Sequence, residues 1–156
     1  MSAAEDRIHS LEIPLIGCSL LVPSAAVAEV TNPTELHPVP GGPAWLLGVI
    51  GWRAQAVPVV TFEAMIGKAV SSAQPGSKIV VFYPIAGRRA GDFYAILSAS
   101  EPRPQSISSS TLETEDPSLL PDSALVATGV RIKGRSMLIP DFETLRTTFY
   151  PGGRAG

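Results

Sequence analysis

The chain has 156 residues, 45% of them hydrophobic and 17% charged, with a formal net charge of −2. It is too apolar for a disordered chain, and its charge balance lacks the basic footprint of a nucleic-acid-binding protein. Cys18 is the single cysteine, which excludes an intrachain disulfide and any multi-cysteine metal site.

Fifteen prolines and fourteen glycines leave short intervals that suit strands of five to seven residues better than ordinary helices. Residues 1–10 are expected to form a flexible tail. "LEIPLI" (11–16), "CSLLV" (18–22) and "AVAEVT" (26–31) then read as strands, and Cys18 as a buried, inert thiol. "TNPTELHPVPGGPA" (31–44), with four prolines, reads as a loop. "WLLGVIGWRAQAVPVVTFE" (45–63) is two apolar runs joined by "GWRAQ", a hairpin followed by a short helix at 61–67. Thr61 is the expected N-cap of that helix and Gly67 its stop.

"KIVVFYP" (78–84) and "DFYAILSA" (92–99) are predicted strands across a loose loop, "IAGRRAG". "SISSSTLETEDPSLLPDS" (106–123) reads as a long polar loop with a turn of helix. "ALVATGVRI" (124–132) and "SMLIP" (136–140) form a last hairpin across "KGR". A helix at 141–149 and a flexible tail at 149–156 close the chain. Segments 48–66 and 129–146 follow one plan: Gly-Val, turn, apolar strand, Thr or Asp before Phe-Glu, short helix. Gly48 and Gly129 lie 81 positions apart and Phe62 and Phe142 lie 80 apart, so an internal duplication with a one-residue-shorter second turn is expected. Two small β units packed together, each closed to remove sheet edges, follow from that.

Catalysis finds little support. The chain has no G-x-S-x-G, Walker or G-x-G-x-x-G motif. His9 and His37 lack partners at ligand spacing, so no metal and no cofactor are expected. Glu113, Glu115 and Asp116 lack the spacing of a calcium loop. Asp141 and Glu143 suit the start of a helix, where carboxylates meet free amides. Arg88-Arg89 and the trio Arg131, Lys133, Arg135 read as a solvated loop and a polar strand face. No run reaches the ~20 apolar residues of a membrane helix, and "MSAAEDRIHS" has two acids before any apolar run, unlike a signal peptide. A cytoplasmic protein with no direct membrane insertion is therefore expected.

Recognition is the remaining role, and three residues draw attention to it. Arg53 sits at a hairpin tip, where its planar fork can reach a carboxylate through two hydrogen bonds. Trp52 beside it belongs to a residue type enriched at interface hot spots. It either faces a partner or folds back onto its own unit. Glu29, alone between apolar neighbours, lies either on an outer face or on a groove.

The stretch from "LLVPSAAVAEV" to "VPVVTFEAMIG" resembles the CheW family of bacterial chemotaxis coupling proteins. The residues that carry the resemblance are Val27-Ala28-Glu29-Val30, the loop from Pro40 to Trp45, Gly48-Val49-Ile50, Arg53 and Val57-Pro58-Val59-Val60. "FYAILSASEPR" and "GVRIKGRSMLIPDFETL" extend it, so that residues 11–148 are covered as one domain. The resemblance implies an all-β fold of two small five-stranded SH3-like barrels sharing a hydrophobic core. It also implies a non-catalytic adaptor that binds the regulatory domain of a CheA-type histidine kinase and the cytoplasmic tip of a methyl-accepting chemoreceptor. Receptor contact falls on Glu29 and Arg53, with Trp52 and Val27 beside them. Gly51 stands where the family has Asn and Ala54 where it has Gly, so Gly51 is expected to supply the turn's positive φ. The "G-W-R" and "T-F-E" variants resemble the adaptors of type IV pilus (twitching) clusters. An SH3-like or OB-like nucleic-acid module, resting on Arg131, Lys133 and Arg135, is the competing reading.

Overall fold

The computed structural model describes residues 7–85 and 91–149; Arg88-Arg89 and the ends of both expected tails lie outside these. The chain forms eleven strands among these residues: β1 (Arg7–Pro14), β2 (Ser19–Pro23), β3 (Val27–Thr31), β4 (Leu46–Trp52), β5 (Gln55–Val60), β6 (Lys78–Phe82), β7 (Tyr94–Ser98), β8 (Arg103–Ser108), β9 (Leu112–Thr114), β10 (Val126–Ile132) and β11 (Arg135–Pro140). Helices α1 (Phe62–Met65) and α2 (Phe142–Phe149) follow β5 and β11.

The strands make two sheets, ordered β8-β1-β2-β11-β10-β9 and β3-β6-β7-β5-β4. The second has the expected five strands; the first has six. Both curl so that their outer strands approach each other. A flat five-stranded sheet would hold its outer strands about 19 Å apart. Here Glu29 of β3 lies 2.9 Å from Arg53, which directly follows β4. In the six-stranded unit the outer strands β8 and β9 are consecutive, joined through residues 109–111, where the Thr111 amide donates to the Ser108 carbonyl at 3.1 Å.

Side-chain alternation then produces three apolar clusters. Ile79 and Val81 of β6 and Ala95 and Leu97 of β7 fill the five-stranded interior with Ile50, Trp52, Val57 and Val59. Their neighbours Val80, Phe82, Tyr94 and Ile96 point the other way, into a core shared with Ile13, Leu20, Val22, Leu138 and Leu145 from the other unit. Leu21, Ile107, Val130, Ile132 and Met137 fill the six-stranded interior. Strands buried on both faces need continuous apolar runs, which is why "KIVVF" and "YAILS" do not alternate with polar residues.

The duplication is present, in a register different from the one expected. The Thr61 amide donates to the Trp45 carbonyl and, 80 positions on, the Asp141 amide donates to that of Leu125. Bulges between Leu46 and Gly48 and between Val126 and Thr128 match at the same offset. So do the two-residue turns, Arg53-Ala54 and Lys133-Gly134. The second turn is therefore no shorter, and Gly48 corresponds to Thr128 rather than to Gly129. Gly48 is required by its own surroundings: a Cβ there would lie 2.7 Å from the His37 carbonyl oxygen, at φ 151°. The units interleave along the chain. The five-stranded one uses β3–β7, whereas the six-stranded one takes β1 and β2 from one end and β8–β11 from the other.

Three further expectations are corrected. Residues 7–10 are no tail, because β1 begins at Arg7 and pairs with β8 from Arg7↔Ser108 onward. The polar stretch 106–123 carries the end of β8 and all of β9 besides the expected turn of helix, a 3₁₀ turn at Pro117–Leu119; Ser106, Ser108 and Thr114 pair within those strands. Helix α1 is only Phe62–Met65, and the Thr61 side chain does not cap it; Thr61 donates to Glu63 instead. By contrast, the Thr144 amide donates to the Asp141 carboxylate at 2.9 Å, as a helix start requires.

Candidate functional site

Glu29, Trp52 and Arg53 converge at the closing seam of the five-stranded unit. β4 ends at Trp52 and β5 begins at Gln55, so the turn consists of Arg53 and Ala54 alone. Their φ values, 47° and 62°, describe a type I′ turn made without glycine. Gly51 lies within β4 and is not among the residues of positive φ, so the expectation that it supplies the turn's freedom is corrected.

This geometry swings Arg53 back across the seam. Its Nη2 donates to Glu29 Oε1 at 2.9 Å, and its guanidinium carbon lies 4.4 Å from the centre of the Trp52 ring. Trp52 Nε1 donates to the same Glu29 oxygen at 3.3 Å. Of the two orientations open in the sequence, the inward one holds: Trp52 is 8% exposed and packs on Phe93 with ring centres 4.9 Å apart. Arg53 and Glu29 remain at the surface, with side chains 60% and 38% exposed. Val27, two residues before Glu29, is half-buried, pairs with Phe82 and packs against the shared core. The pair on offer is thus Glu29 and Arg53, with Trp52 behind it and Val27 set lower on the strand.

The other polar groups have internal tasks. Glu12, fully buried, accepts from both Nη atoms of Arg135, one at 3.0 Å, and from Gln105 Nε2 at 3.0 Å. Burial pushes its carboxyl up, but the bonds from Arg135 and Gln105 outweigh that and leave it below the usual glutamate range. Glu115 accepts from Ser136 Oγ, which holds it low, and lies 4.0 Å from Arg131. Two of the three residues behind the nucleic-acid reading therefore face carboxylates of their own chain, which removes the free basic face that reading needs. Glu63 accepts from the Ile16 amide at 2.8 Å and so ties α1 to the β1–β2 turn. Sequence reasoning missed Glu12 and Glu63. The one available signal was a lone acid inside each apolar segment, "LEIP" and "TFEAM".

A cavity of about 550 Å³ lies beside Cys18, Lys68, Glu115, Asp122 and Ser136. Cys18 is half-buried rather than buried, and burial pushes its thiol up, away from the nucleophilic thiolate. Among the described residues no group of three or more His, Cys, Asp or Glu could hold a metal ion, and no helix is long and apolar enough to cross a membrane.

The geometry is that of two fused β units with a charged pair on the seam of one of them. The CheW-like domain model matches residues 13–148, so the chain belongs to the CheW-like domain family, a family of non-catalytic scaffolding adaptors in chemotaxis. Among solved structures, the scaffolding protein TtCheW from Thermoanaerobacter tengcongensis superposes with a TM-score of 0.76 at 16% identity, over 97% of this chain and 98% of that one. The search of curated proteins gave no match.

Proposed function

We propose that this chain is a cytoplasmic adaptor that joins the tip of a methyl-accepting chemoreceptor to the regulatory domain of a CheA-type histidine kinase. The observation that carries this is the family match across 13–148. The exposed Glu29–Arg53 pair supports a receptor-facing role for that seam. Arg53 uses one guanidinium nitrogen on Glu29, and its side chain stays mostly exposed, so donors remain for a partner carbonyl or carboxylate.

Mixing the purified chain with a kinase regulatory domain tests the kinase arm; no complex at tens of micromolar overturns it. Arg53→Glu tests the receptor arm. It should weaken receptor-tip binding roughly tenfold or more and leave kinase binding intact. Unchanged receptor affinity in both Arg53→Glu and Glu29→Arg would remove the seam from the interface. We assign the pathway to type IV pilus motility on the "G-W-R" and "T-F-E" variants. Deletion in the source bacterium should then impair twitching and spare swimming, and the converse result contradicts the assignment.

A further inference from the structure

We infer that Trp52 is a positioning residue that sets the Glu29–Arg53 pair before any partner arrives; this rests on the receptor-facing reading of the seam. Three observations converge on it. One Glu29 oxygen accepts from both Trp52 Nε1 and Arg53 Nη2, at 3.3 and 2.9 Å. The Arg53 guanidinium lies over the Trp52 ring at 4.4 Å, within the range of cation–π attraction. Trp52 itself cannot move freely, being almost wholly buried against Phe93, whose ring also meets Tyr83 at 6.0 Å.

The turn explains why such a brace is needed. A side chain at positive φ is strained, and such strain persists only where the surroundings over-determine it. Arg53 and Ala54 both adopt positive φ without glycine. An exposed arginine on a strained turn would sample many rotamers, and ordering it on contact would cost affinity. Trp52 removes that cost in advance, with its ring fixing the guanidinium plane and its N–H fixing the carboxylate. The seam then offers a neutral, preset unit, and its binding should respond weakly to salt compared with that of an unpaired arginine.

The test uses the full chain and two variants, Trp52→Phe, which keeps a ring and loses the N–H, and Trp52→Leu, which loses both. Two readouts are needed: the ¹⁵N relaxation of Arg53 Nε–H in the free protein, and affinity for a purified receptor-tip fragment. Arg53 Nε–H should be as ordered as the backbone in the parent, less so in Trp52→Phe and mobile in Trp52→Leu. Affinity should fall about threefold and tenfold in the same order, with circular dichroism unchanged. The Trp52 Nε1–H resonance of the parent should also shift on Glu29→Gln. An ordered Arg53 in Trp52→Leu, or full affinity in both variants while Arg53→Glu still binds weakly, overturns the positioning role alone. If Arg53→Glu binds the receptor tip normally, the receptor-facing reading fails, while the relaxation result still decides whether Trp52 orders the pair. Should Trp52→Leu unfold, Trp52→Phe and Glu29→Gln decide the matter.

Discussion

Glu12 is an acid in the middle of an apolar strand, and the structure accounts for it through Arg135, 123 positions away. An ionised carboxylate without partners could not remain there. Because its folded-state pKa is depressed below the ordinary value of 4.5, the pair stabilises the fold fully above that value. That contribution is lost as pH falls through the folded-state value. Arg135→Ala should raise the unfolding equilibrium constant about tenfold or more at pH 7 by leaving a buried acceptor unsatisfied. The difference from the parent should shrink as pH falls below 4.5 and Glu12 becomes protonated. Urea unfolding at both pH values checks this, and a difference independent of pH would contradict it. At this scale the sequence was only partly legible. Arg53 and Glu29 could be singled out because their neighbours are apolar or turn-forming, but their mutual contact depends on closure of the sheet, which no local pattern encodes. The sequence leaves Trp52 free to face a partner or to fold back; the two-residue turn places it inside the strand and hence inside the barrel.

The hairpin–helix element occurs twice, and its two copies solve the same turn differently. Lys133-Gly134 places glycine second, as a type I′ turn prefers, whereas Arg53-Ala54 does not. Ala54→Gly should therefore stabilise the fold by about 0.5–1 kcal/mol, measurable as a higher denaturation midpoint. A lower midpoint would mean that the Ala54 methyl makes a contact worth more than the strain. The repeat was legible as a pattern because its apolar strand and Phe-Glu helix start recur. Aligning the two conspicuous glycines, Gly48 and Gly129, sets its register one residue out. They serve different needs: Gly48 admits the His37 backbone, while Gly129 admits the side chain of Leu120, 2.3 Å from where its Cβ would stand. Strands β8 and β9 were hidden for another reason. Serine and threonine at a half-exposed sheet edge look like loop composition, and only pairing with β1 and β10 reveals them.

For the molecule as a whole, interleaving couples the two barrels. The chain leaves the six-stranded unit after β2, builds the five-stranded unit, and returns to finish the first. The shared core is drawn from both, with Phe82 fully buried and stacked on Tyr94 at 5.0 Å. Phe82→Ala should cost about 3–5 kcal/mol and lower a single unfolding transition seen alike by tryptophan fluorescence and far-ultraviolet circular dichroism. Two separated transitions would mean that the barrels fold independently. Two barrels coupled in this way suit the proposed adaptor role, in which two partner surfaces must be held at a fixed spacing. The most direct measurement of that role is cosedimentation of a CheA-type kinase with vesicles bearing the receptor tip. Adding this chain should bring the kinase into the pellet, and the Arg53→Glu variant should bind the kinase yet leave it in the supernatant. A kinase that stays soluble with the unaltered chain, or pellets equally well with Arg53→Glu, would contradict the account.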